Sequence, residues 1–345
     1  MGERQGLIIS NQIEGVMNKK HFPVWLVAVF VFFGLLGESA AQDRKMIRIG
    51  VTQIVTHQAL DADQEGFEKA LSSSGFKDGV NIVYDRQNAN GDMTRAEAIA
   101  RTFVEEKVDL IHAIATPTTQ AVVKMAIDIP VVFSSVTDPV DAGIVPKGSG
   151  PGTKTGTNVT GVSDRWPVAL QLELYAQFIP NAKRWGTIYN AAEANSLVHI
   201  QEMRQGAKKL GLELVESVVG SREEVPGAAA ALAQQVQAIV ISADNTAISE
   251  FDAIVKVCNT QRIALFAGDV DSVTRGATAA YGLNYFLVGY AAGKKAALIL
   301  KGQKAGDIPW GPMEKFSLVV NERAAAAQGV HISPEMLEKA DKVIK

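Results

Sequence analysis

Cysteine is nearly missing from these 345 residues: Cys258 is the only one. That excludes a disulfide within the chain and any cysteine-based zinc site. Histidine is scarce as well, with five residues at 21, 57, 112, 199 and 331 and no H-x₃-H or similar spacing. No metal is therefore expected. Neither sign of charge is in excess: 34 Lys and Arg stand against 37 Asp and Glu, a formal net charge of −3. Nucleic-acid partners normally demand a basic surplus, so none is expected. The chain also lacks a G-x-S-x-G elbow, an H-E-x-x-H helix, a Walker loop and a Cys–His pairing. It offers no recognisable catalytic set and implies no cofactor. Hydrophobic residues at 47% and charged residues at 21% are globular values, which exclude wholesale disorder.

One long apolar run is present, VWLVAVFVFFGLLG at 24–37. It is short for a bilayer span and suits the core of a signal peptide. Lys19, Lys20 and His21 precede it, and Ser39, Ala40 and Ala41 put small residues at a cut after Ala41. Residues 1–41 are thus expected to be a cleaved signal peptide, with an uncleaved membrane anchor as the rival reading. No cysteine follows the run, which argues against a lipid anchor. Residues 1–16 lack signal-peptide logic, whereas Met17 opens a normal one, MNKKHF; Met17 is the expected start, with 1–16 not translated. The mature protein is then exported.

From Ile47 onward, short apolar runs alternate with amphipathic stretches. IRIGVTQ (47–53), NIVYDRQ (81–87), DLIHAIA (109–115) and IPVVFSSV (129–136) read as strands; 61–75, 94–107 and 116–127 read as helices between them. The pattern restarts at 167, with helices over 167–179, 195–211, 225–236 and 244–260 and strands at 184–190, 212–219, 237–243 and 263–268. Cys258 lies in the last of those helices as a buried small hydrophobe. The expected fold class is α/β, with two doubly wound parallel-sheet lobes joined by a multi-strand hinge. One continuous sheet is the rival. The Gly- and Thr-rich text PKGSGPGTKTGTNVTG (146–161) reads as a crossover between lobes. After 285 come a helix (286–302), the segment PWGPMEKFSLVVN (309–321) and a helical tail (322–345). The expected lobes are 46–161 with 286–310, and 162–285 with 311–345.

In such sheets, ligands gather at strand-to-helix turns, where side chains and free helix N–H groups face one crevice. Thr116-Pro117-Thr118-Thr119 has Thr116 as N-cap and Pro117 as first helical residue, and its hydroxyls can hold a carboxylate. Thr137-Asp138-Pro139 repeats the plan, with Asp138 capping a helix. Tyr189 to Ser196 opens the second half and brings Asn190, Glu193, Asn195 and Ser196. Asp244-Asn245 is the counterpart of the Thr116 turn, and Asp269 follows the last strand of that set. Asp244 and Asp269 suit an ammonium, and Thr116, Thr118 and Ser196 a carboxylate. Gln53 and His57 follow the first strand; His57 reads more readily as a structural hydrogen bonder. Ring partners on offer are Tyr189, Phe133 and Tyr285, with Phe133 placed in the core. For each turn the plainer reading is local capping.

The stretches IRIGVTQIVTHQALDADQEGF, QNANGD, ATPTTQA, IPVVFSSVTDPVDAGIV, NVTGVSD, YNAAEANS, SADN, GLNYFLVGYAAG and SLVVNERAAAAQGV, in this order, resemble one family. It is the periplasmic substrate-binding proteins of ABC transporters, tryptophan/tyrosine-type, and the resemblance runs from about Ile47 to Ile344. The insert at 146–157 departs from it. The resemblance implies a type I binding protein that closes on an amino acid or related zwitterion, often aromatic, and docks onto an ABC permease and its ATPase. It implies a periplasmic monomer without turnover. The groove residues carried over are Gln53, Thr116, Thr118, Thr137, Asp138, Asn190, Glu193, Asn195, Ser196, Asp244, Asn245 and Asp269. The rivals are an exported sensor ectodomain and an exported enzyme using Asp244 and Asp269.

Overall fold

A computed structural model describes residues 46–345. The expected leader, 1–41, and the choice between Met1 and Met17 fall outside the described residues. The chain runs β1 (Ile47–Gln53), α1 (Gln58–Ser73), β2 (Ile82–Asn88), α2 (Met93–Glu105), β3 (Leu110–Ile114), α3 (Thr116–Met125), β4 (Val131–Val136) and β5 (Val159–Ser163). It continues with α4 (Val168–Phe178), β6 (Arg184–Tyr189), α5 (Ala194–Leu210), β7 (Glu213–Val218), α6 (Val225–Ala233), β8 (Ala238–Ile241), α7 (Asn245–Ser249), α8 (Phe251–Gln261), β9 (Ala264–Ala267), α9 (Asp271–Arg275) and β10 (Ala279–Gly282). It ends with α10 (Tyr285–Leu300), β11 (Gly311–Pro312), β12 (Ser317–Asn321), α11 (Glu322–Ala327), α12 (Pro334–Lys339) and β13 (Lys342–Ile344).

Two sheets form, as expected for paired α/β lobes. The first has six strands in the order β11-β5-β4-β3-β1-β2, all parallel. The second has seven, β13-β12-β10-β9-β8-β6-β7, parallel except where β12 meets β10. Every residue of β3, β4 and β5 is buried. That burial on both faces is why β3 and β4 begin with apolar runs rather than alternation. Helix α10 returns to the first lobe and packs on α1 with almost no side chain between them. A Cβ on Gly289 would lie 1.7 Å from the Asp63 carbonyl oxygen, and one on Gly66 2.0 Å from that of Phe286.

Three chain segments pass between the sheets, at 164–167, 283–284 and 313–316. The first passes two residues beyond the expected boundary at 161, because Val159–Ser163 is a strand of the first sheet. Its Thr and Gly content hid it. Gly161 is there because a Cβ would meet the Phe133 ring at 2.3 Å. The Gly-rich stretch before it does not cross. It folds back on the chain ahead of β11, with Gly152 N–H donating to the Trp310 carbonyl at 2.7 Å and Trp310 Nε1–H to Ser149 Oγ at 2.8 Å. The expected helix over 244–260 breaks at Glu250 into α7 and α8. The tail is not helical throughout, since it closes as β13 beside β12.

Candidate functional site

The carboxyl ends of both sheets face each other across a cleft. Deep in it lies a space of about 320 Å³, mouth included. The first lobe contributes Ala115 beyond β3, Ser135 and Thr137 at the end of β4, and Asp164 just past β5; the second contributes Ala243 and Asn245 beyond β8 and Asp269 beyond β9. His57, Asn195 and Tyr285 complete the polar wall. Two lining residues sit in backbone conformations that L-residues rarely adopt, Ala115 (φ 78°) and Ser135 (φ 54°). Such strain gathers where the fold must present a turn to a ligand.

The twelve expected residues divide by position. Thr137, Asn195, Asn245 and Asp269 line the inner space. Asn190 and Glu193, again with Asn245, line a wider outer chamber of about 900 Å³. Thr116 and Asp138 face a side recess together with Asn195. Gln53, Thr118, Ser196 and Asp244 line none of the three.

Local hydrogen bonding accounts for these placements. Gln53 Nε2–H donates to Val55 O at 3.2 Å and Asp61 Oδ1 at 2.9 Å. The Thr118 hydroxyl donates back to the Ile114 carbonyl. The cap of α3 falls one residue earlier than expected, on Ala115, so Pro117 is its second residue. No helix follows Asp138, whose Oδ1 accepts from Val140 and Asp141 N–H groups. Asp244, expected to take an ammonium, caps α7 instead: Oδ1 accepts from Ala247 N–H, and Oδ2 from Asn190 N–H at 2.6 Å and Ser196 Oγ at 2.7 Å. That leaves the Ser196 hydroxyl bound to Asp244 rather than facing the inner space. Glu193 likewise accepts from Asn195, Asn245 and Thr246. These two carboxylates tie the tips of the second lobe together.

Asp269 differs: both its bonds come from Ser272, N–H at 2.8 Å and Oγ at 2.7 Å, and it still lines the space. Burial pushes its pKa up. Sequence reasoning missed Asp164, whose pKa burial raises to about 6. The signal was present in NVTGVSD, but β5 went unrecognised. Asp63 on α1 stands behind Ser135 and accepts from its hydroxyl. No Lys or Arg lines the inner space among the described residues. His57 caps α1, its Nδ1 accepting from Leu60 N–H at 3.4 Å. Its proton then sits on Nε2, a buried atom with no hydrogen-bond partner among the described residues, and Asn195 Oδ1 is likewise without one there. Burial lowers the His57 pKa to about 4, against a smaller pull from Asn245, so the ring is neutral at pH 7. Of the candidate ring partners only Tyr285 lines the space; Tyr189 bonds Glu216 and Phe133 lies in the core.

Known proteins show the same plan. A family model for ABC transporter substrate binding proteins matches residues 48–344. A protein of Clostridioides difficile (strain R20291) named "Tyrosine-binding protein" is 39% identical over 279 residues, covering 81% of this chain and 80% of its own. An ABC domain from Streptococcus pneumonia, solved in complex with L-Trp, is 31% identical with a TM-score of 0.81, over 87% of this chain and 100% of that one. The ligand-free, open structure of a substrate binding protein with adhesive properties from Clostridium difficile is 37% identical over the same shares, yet its TM-score is 0.63. The described lobes are thus arranged more like the L-Trp complex than like the open form, although the open form is the nearer in sequence. This chain belongs to the ABC transporter substrate binding protein family, whose members are solute-binding receptors that work outside the cytoplasm.

Proposed function

We propose that this protein captures a free amino acid with a large, aromatic side chain and delivers it to an ABC importer. A signal peptide, cleaved after Ala41, sends it to the periplasm, where it acts as a monomer and docks in its closed form on the permease and its ATPase. It binds without turnover. The observation that carries this reading is the charge of the inner space. Asp164 and Asp269 line it and, among the described residues, no lysine or arginine does, Arg275 acting on Asp269 only from outside the lining, so a ligand's positive charge suits the space. An α-ammonium supplies it. The free Nε2–H of His57 and the start of α3 beyond Ala115 suit the carboxylate. The names of the C. difficile relative and the L-Trp complex support an aromatic side chain.

Calorimetry with tyrosine, tryptophan, N-acetyltyrosine and tyramine tests this. Tyrosine or tryptophan is expected to bind, tyramine to bind more weakly, and N-acetyltyrosine, which has lost its ammonium and keeps only the negative carboxylate, to be rejected. Asp269→Asn should weaken tyrosine binding by about 2–5 kcal/mol. N-acetyltyrosine binding as well as tyrosine would overturn the proposal.

A further inference from the structure

Asp164 and Tyr285 meet where two crossings reach the inner space. Asp164 is the first residue after β5, and Tyr285 opens α10 directly after the second crossing. The Tyr285 hydroxyl donates to Asp164 Oδ2 at 2.6 Å, and Thr137 Oγ donates to Oδ1 at 3.2 Å. Both side chains are buried and both line the space. The pair therefore fastens two hinge segments to each other at the floor of the cleft.

The charged and titratable groups around the pair are few. Asp63 faces it from α1, Asp269 from the end of β9, His57 from the turn before α1, and Asp271 from the start of α9, where its carboxylate meets the Tyr285 backbone N–H. Arg165, next in sequence, turns its head to Asp138 and Glu202, both at 2.6 Å. Carboxylates thus surround Asp164, and among the described residues no cation is held against it. A carboxylate in such a place is stabilised by donors and by whatever cation enters.

We propose that Asp164 reads the ligand's positive charge at the hinge, and that Tyr285 is the positioning residue that holds its carboxylate for that contact. The proposal rests on the amino-acid reading above. Ligand charge then bears directly on the two segments about which the lobes move, so binding and closure share one contact. Removing the Tyr285 hydroxyl takes a donor from a carboxylate that burial already disfavours. The Asp164 proton is then held to higher pH, and affinity for an ammonium is lost earlier on acidification.

The test is the dissociation constant for tyrosine from about pH 5 to about pH 8 in the wild type, Tyr285→Phe and Asp164→Asn, with each melting temperature taken without ligand. The wild type should bind evenly near neutrality and weaken in acid. Tyr285→Phe should bind roughly tenfold more weakly at pH 7, the size expected for one hydrogen bond to a charged group, with its acid midpoint moved upward. Asp164→Asn should bind more weakly still and lose the part of the acid-dependent fall that Asp164 carries, leaving only what Asp269 contributes. A Tyr285→Phe protein with wild-type affinity and midpoint overturns the proposal, as does Asp164→Asn keeping both. If Tyr285→Phe fails to fold, Asp164→Asn decides alone. A wild type that binds no amino acid brings down the functional reading itself, a result distinct from wild-type binding with indifferent variants.

Discussion

Asp63 shows what a buried carboxylate does to the fold before any ligand is considered. It accepts from Ser134 Oγ at 2.8 Å and from the Ser135 hydroxyl, with His112 Nε2 3.6 Å away. Ser134 has one proton and gives it to Asp63, so His112 must donate to Ser134 Oγ across their 2.7 Å contact, leaving its Nδ1 bare. The histidine is thus neutral, and burial lowers its pKa to about 3. Burial raises Asp63 from 3.8 to about 7, against the pull of the two serines. A raised pKa means that the folded state holds the proton more tightly. The stabilisation is complete below about pH 4 and is lost as pH rises toward 7. The stability of wild type relative to Asp63→Asn should therefore fall by on the order of 2–4 kcal/mol between about pH 4 and pH 8. Taking the difference cancels most of the opposing contribution of His112. Urea melts at stepped pH check this, and a difference flat with pH would refute it. At this same scale the site was half legible. Asp244 and Asp269 look alike in sequence, each polar and just past a strand. Only the fold shows that three donors surround the first while Ser272 alone bonds the second.

Helices α1 and α10 are the elements that bring His57, Asp63 and Tyr285 to the cleft, because each begins there. Their approach depends on glycines facing backbone. A Cβ at Gly293 would stand 2.4 Å from the Phe67 carbonyl oxygen, and the clash at Gly289 is closer still. Backbone cannot rotate aside as a side chain does, so the helices must separate. Gly289→Ala should cost at least about 2 kcal/mol, although alanine is the better helix former in isolation. Thermal melts would show a lower midpoint, and an unchanged or raised one would mean that the helices do not meet as described. Apolar periodicity in the sequence located both helices, with the ends of α10 within two residues and the start of α1 three residues late. Their partnership was not legible, since small residues announce close approach without saying to what. β5 failed for a related reason. A strand buried on both faces but built from Val, Thr, Gly and Ser resembles a loop until Phe133 is seen lying on Gly161.

Across the whole molecule, the arrangement of the lobes is held by contacts that opening must break. Arg165 sits in the first crossing and grips both lobes, with Nη1 on Asp138 Oδ2 and Nη2 on Glu202 Oε1, each at 2.6 Å. Gln58 at the head of α1 bonds Thr274 on α9 at 3.1 Å across the cleft. Paired lobes and a hinge of several strands were readable from the repeat of strand and helix, because that repeat is set by local periodicity. The closure contacts were not, because they join residues with no sequence relation. Arg165 is about half exposed, at 47%, so salt screens its two pairs and each is weak alone. A balance between open and closed forms needs only a small bias to move, however. Arg165→Ala should therefore shift the ligand-free protein toward the open form, read as a larger radius of gyration by small-angle scattering. Saturating tyrosine should restore the compact value, because the ligand's own bridge outweighs one lost ion pair. Affinity should drop severalfold, since binding must now also close the lobes. High salt should bring the wild type toward the variant's ligand-free radius and leave the variant unmoved. A variant with the wild-type radius at low salt would show that Arg165 does not hold the lobes together, and closure would then rest on Gln58, Thr274 and the residues lining the cleft.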